Sequence, residues 1–130
     1  MVLAARIFLG LQGLVALGIG VLCALLNDWS VLGVTAEGAG RIELKVAIGG
    51  TWVFLGVMFL RGAFAQGLRP WIGQVALLYS ILGLLRIFAM QGDSATMNTL
   101  IFLAYEAASA LIALALFFRL NPDRRRIFGG

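Results

Sequence analysis

Four apolar runs, at residues 7–26, 42–60, 71–90 and 99–118, constrain this chain more than any other feature. Each is close to the roughly 20 residues that cross a hydrocarbon core about 30 Å thick. In lipid, backbone N–H and C=O groups must be satisfied inside the spanning structure, which leaves helices or a closed barrel. The runs lack the alternation of strands, and four strands cannot close. The expected fold is therefore all-α, a four-helix transmembrane bundle forming a single integral membrane domain over 1–130, with a basic tail at 119–130. Composition agrees, since 62% of residues are hydrophobic and 12% charged. Soluble domains are nearer half apolar and a quarter charged.

The breaks between runs are legible. Asn27-Asp28-Trp29 closes the first, and a loop with Gly33, Gly38 and Gly40 follows. Residues 61–70 form a short basic turn. Gln91-Gly92-Asp93-Ser94 makes a polar turn in which Ser94 or Thr96 can cap the last helix. Asn121-Pro122 stops that helix. Arg6 followed by an apolar stretch has the beginning of a secretory signal, but no small-x-small site closes the run, so it reads as an uncleaved helix.

Orientation follows from arginine and lysine. Arg6, Arg61, Arg69, Arg119, Arg124, Arg125 and Arg126 fall on one side after each crossing, against Arg41 and Lys45 on the other. Seven against two is a positive-inside pattern that places the N-terminus and C-terminus in the cytoplasm. Arg124, Arg125 and Arg126 are expected at anionic lipid head groups. Apart from Arg86, the 10 basic residues sit near the ends of apolar runs, and they form no stripe on a polar face, so nucleic acid is not an expected partner.

Several chemistries are excluded. Histidine is absent and Cys23 is the one cysteine, which rules out an intramolecular disulfide and histidine-ligated haem. No metal set and no cofactor is expected, and no nucleophile–base pair suggests an enzyme. Cys23 reads as a small apolar helix residue.

Ionisable residues inside the runs are few. Arg86 lies in the third run, Glu106 in the fourth, and Glu43 opens the second beside Arg41 and Lys45. Following the chain through each crossing puts Glu43, Arg86 and Glu106 in the outer leaflet. A charge at mid-bilayer costs about 2.5–3.5 kcal/mol on insertion scales, so the three are expected to answer one another. Helical spacing sets Tyr79, Gly83 and Arg86 on one face, and Leu103, Glu106, Ser109, Ala110 and Ala113 on another. Glu43 shares its face with Ala47 and Gly50. Gly49, Gly50 and Gly83 are expected helix-packing positions that allow close approach. Ala16-x3-Gly20 and Ala104-x3-Ala108 read as further packing surface, and Gln12 and Gln74 can hydrogen-bond across helices. Trp29, Trp52, Trp71 and Tyr105 read in part as an interfacial belt. The charges admit two readings: a structural clamp, or a polar pocket for a small ligand or a proton.

Glu43 with Gly49-Gly50, Arg86 with the Gly92-Asp93 turn, and Glu106 in the last helix resemble the bacterial four-span family known as domain of unknown function 4345. The stretch from Trp29-Ser30-Val31-Leu32-Gly33 to Arg41-Ile42-Glu43 is similar to that family's first outer loop. The resemblance extends from about Arg6 to Phe118, and Lys45-Val46-Ala47-Ile48 departs from it in side-chain size. It implies a small multi-pass protein of the bacterial inner (cytoplasmic) membrane, without an established activity to carry over. A more distant likeness is to four-span DoxX-type proteins. Small multidrug transporters depend on an acidic residue in the first helix, and none is present here.

The expected function is that of a non-enzymatic accessory or scaffold subunit, meeting the lipid bilayer and either a larger membrane complex or further copies of itself. The alternative is a membrane binder or transporter using Glu43, Arg86 and Glu106.

Overall fold

The computed structural model describes residues 1–25, 39–91 and 95–120, and all of the regular structure in them is helical. The elements are α1 (Val2–Ala24), α2 (Ala39–Leu44), a π-helical segment (Lys45–Gly49), α3 (Gly50–Ala63), α4 (Leu68–Ala89) and α5 (Met97–Arg119). The expected features at Asn27-Asp28-Trp29, Gly92-Asp93-Ser94, Pro122 and Arg124, Arg125 and Arg126 lie outside the described residues.

Four helices are long and apolar enough to cross a membrane: Val2–Ala24, Ile42–Ala63, Leu68–Ala89 and Met97–Arg119. Their 22 to 23 residues give about 33–35 Å at 1.5 Å per residue. Each carries large apolar side chains on its outside. Leu77, Leu84, Phe88 and Leu111 are 58–67% exposed, an arrangement suited to lipid rather than water.

Helix ends follow local chemistry. The third span starts three residues before the run at 71–90, at Leu68, because Pro70 falls in the first turn, where no backbone acceptor awaits its missing N–H. Thr96 caps α5: its hydroxyl accepts from the Thr99 N–H, and the Thr99 side chain in turn accepts from the Thr96 N–H. Arg61, Arg86 and Arg119 occupy the last turns of α3, α4 and α5, where a cation complements the carbonyl-rich helix end.

The second span is not the uninterrupted α-helix that its run suggests. At Lys45–Gly49 the backbone widens, and the Gly50 N–H donates to the Lys45 carbonyl five residues back. The Thr51 hydroxyl donates to the Ala47 carbonyl just after it. A single-turn π segment inserts one residue into the helical register.

The chain divides into two compact units, one of residues 6–65 and one of residues 1–5 and 66–130. In the first, α1 runs antiparallel to the π segment and α3 along two matching series, Gly13, Leu17, Gly20 and Ala24 against Gly49, Val53, Gly56 and Leu60. Both repeat at intervals of four and three, the knobs-into-holes spacing. The fit is close enough to exclude a methyl group. A Cβ on Gly56 would lie 2.5 Å from Leu17 Cγ and 2.9 Å from the Gly13 carbonyl oxygen. One on Gly20 would lie 2.6 Å from the Val53 nitrogen, and one on Gly49 would lie 2.8 Å from Ala24 Cβ.

Gly49 is thus a packing residue, but Gly50 is not: nothing described lies within 4 Å of where its Cβ would be. Successive helical residues point about a quarter-turn apart, so only one of the two can face α1. Gly13, Gly20 and Gly56 carry the interface together with Gly49. Ala16 is fully buried, whereas Ala104 and Ala108 are exposed and form no packing surface in their unit.

Candidate functional site

In the other unit α4 and α5 run antiparallel, and their shared face holds the polar side chains. Tyr79, Gly83 and Arg86 line one side at intervals of four and three residues. Phe102, Tyr105, Glu106 and Ser109 line the other. Arg86 grips Glu106 side-on. Its Nε donates to Oε2 at 2.8 Å and its Nη2 to Oε1 at 2.6 Å. This bidentate geometry is the strong form of an ion pair, and both carboxylate oxygens are engaged.

The partners differ in exposure. The Glu106 side chain is 4% exposed and that of Arg86 is 30% exposed. Arg86 also lies over the Phe102 ring, 5.3 Å from its centroid. Two turns back along α4, Tyr79 is fully buried and its hydroxyl lies 3.1 Å from that of Tyr105. The two rings meet edge to face, with centroids 5.5 Å apart. Gly83 sits between these levels. A Cβ there would stand 3.9 Å from Glu106 Cβ and 4.0 Å from Leu103 Cδ1, which is ordinary contact. Gly83 is therefore a packing residue with room for a methyl group.

A cleft of about 420 Å³ opens beside the pair, lined by Leu82, Leu85, Arg86, Ala89, Met90 and Thr99 among others. A guanidinium has five N–H donors. Glu106 takes two of them, and the remaining three find no acceptor among the described residues. The carboxylate thus holds the guanidinium in one orientation beside a cleft of mixed polar and apolar surface.

Glu43 belongs to the other unit, where it is exposed at the end of α2, one residue before Leu44 and the π segment. Gln12 is buried and Gln74 exposed, while Trp52 and Trp71 are half-buried. Cys23, the one cysteine, has no exposed surface. Among the described residues no three metal-binding side chains come together.

Two contributors escape the sequence reading. Tyr105 reads there as an interfacial ring, yet its hydroxyl turns inward to Tyr79. Phe102 receives no role, although it precedes Glu106 by one helical turn and therefore shares its face. The i, i+4 relation to an intramembrane acid is the signal that could have singled it out.

No family model, no curated protein and no solved structure matches the chain. The resemblance to the domain of unknown function 4345 family rests on the residues that carry it.

Proposed function

We propose that this chain is a multi-pass membrane protein that works without catalysis, as an accessory or scaffold subunit packing against a larger membrane complex or against itself. The observation that carries this reading is how each helix pair uses its side chains. Arg86 and Glu106 are spent on each other inside the α4–α5 pair, while the outward surface is broad and apolar. Contacts with other proteins are then left to the lipid-facing helices and the short basic segments.

The full proposal is a four-helix bundle with both termini in the cytoplasm, supported by the seven-to-two distribution of basic residues. The family resemblance adds the bacterial inner membrane as its location. Arg124, Arg125 and Arg126 would then sit among anionic head groups, at about 1 kcal/mol per residue.

Extraction in gentle detergent or native nanodiscs, followed by native separation, tests the subunit reading. Stoichiometric comigration with another membrane protein, or a defined homo-oligomer, is the expected result. A lone monomer in native lipid counts against it. Reporter fusions at the two ends test orientation, and ends on opposite sides would end the positive-inside assignment.

The cleft beside Arg86 favours a second reading, a membrane binder of small molecules or protons that uses Arg86 and Glu106. Its mark would be ligand-dependent thermal stabilisation of the purified protein that disappears in Glu106→Gln. A broad lipid and metabolite panel without any such stabilisation would weigh against it.

A further inference from the structure

Where α4 begins and α5 finishes, the second unit holds a cation that has no counter-ion among the described residues. The Arg69 guanidinium carbon lies 4.4 Å from the centroid of the Phe117 ring. Its Nε is buried and has no hydrogen-bond partner. The ion pair found among the described residues is that of Arg86 with Glu106, and the first turn of α4 contains no acid. Arg69 also lines a cleft of about 370 Å³, whose other walls include Val2, Gln66, Leu68, Pro70 and Leu120.

Three physical points converge on one kind of occupant. A buried donor without an acceptor carries a desolvation penalty of about 1–3 kcal/mol, and more when charged, so an oxygen ligand is strongly favoured there. Stacking on Phe117 covers a face of the guanidinium and leaves its edge of N–H groups, the edge that matches phosphate oxygens. The remaining walls are mostly apolar, with Gln66 the one other polar side chain, which suits an occupant with a hydrocarbon body and an anionic head.

We propose that this cleft binds one anionic phospholipid, with its phosphate on the edge of Arg69 and acyl chain against Val2, Pro70 and Leu120. The site lies in the first turn of a spanning helix, at the depth where lipid phosphates reside. It rests on the membrane-spanning reading above. Free phosphate would gain nothing from the apolar walls.

Native mass spectrometry of the full chain, released from detergent doped equally with phosphatidylglycerol and phosphatidylcholine, is the test. The wild type should retain one phosphatidylglycerol in preference to phosphatidylcholine. Arg69→Gln should weaken that retention roughly tenfold, as expected for loss of one charge-assisted contact. Arg119→Gln, which removes an exposed cation from the last turn of α5, should leave it intact. Inorganic phosphate alone should not raise the melting temperature. Should Arg69→Gln fail to fold, Val2→Trp narrows the cleft at a position that is 54% exposed and should itself reduce retention. Equal retention by the wild type and the folded variant, equal retention of the two lipids, or stabilisation by phosphate alone would each overturn the site. Recovery of the chain in the soluble fraction would instead overturn the membrane reading beneath it.

Discussion

Replacing Gly56 with alanine should push α1 away from α3. The added Cβ would meet the Leu17 nitrogen at 2.7 Å and the Gly13 carbonyl oxygen at 2.9 Å. These are backbone atoms and cannot rotate aside. Moving the 2.7 Å contact to the 3.4 Å edge of ordinary van der Waals distance requires 0.7 Å of separation. A gap of about 0.5–1 Å forfeits a quarter to a half of the dispersion energy of each atom pair, itself about 0.1–0.2 kcal/mol. For an interface with some tens of such pairs the loss is about 2 kcal/mol, within the range of about 1–3 kcal/mol seen for overpacked cores. Burial of apolar surface does not offset it, because lipid is as apolar as the interface. Reversible unfolding in mixed micelles, followed by the fluorescence of Trp52 in α3, reads this difference directly. Gly18→Ala is the control, since nothing described lies within 4 Å of that position. It should be neutral, or stabilising by at most about 1 kcal/mol through helix propensity. Gly83→Ala, where a Cβ finds ordinary contact, should likewise be neutral or stabilising by at most about 1 kcal/mol. Equal stability of Gly56→Ala and Gly18→Ala would refute the close-packed register of α1 against α3.

Two further outcomes follow from α4 and α5. Arg86→Ala and Glu106→Ala should each lower stability more than the double variant does, because either single change strands a charge in a low-dielectric setting; strictly additive losses of folded protein would show that the bidentate contact contributes no coupling. Thr96→Ala removes the cap of α5 and should cost about 1 kcal/mol, with faster hydrogen exchange at the Thr99 amide, whereas unchanged exchange there would show that the cap is not formed.

The spans were legible in the sequence because the bilayer demands length and apolarity, and both are properties of a linear string. The end of α5 could be read for the same local reason, since a cap needs only a hydroxyl at Thr96 and an N–H three residues on. Arg86 and Glu106 could be paired by counting residues from the turn that joins their helices, because depth in a helix is proportional to residue number. Tertiary structure alone decided which small residues face a neighbour. Gly49 and Gly50 are chemically identical and adjacent, yet only Gly49 meets α1, since the partner helix selects one direction around the axis. The π segment at Lys45–Gly49 escapes periodicity for a related reason: an inserted residue changes the register without changing composition. The inward turn of Tyr105 and the orphaned Nε of Arg69 were equally out of reach, because a side chain's partner depends on what the opposite helix presents at that height.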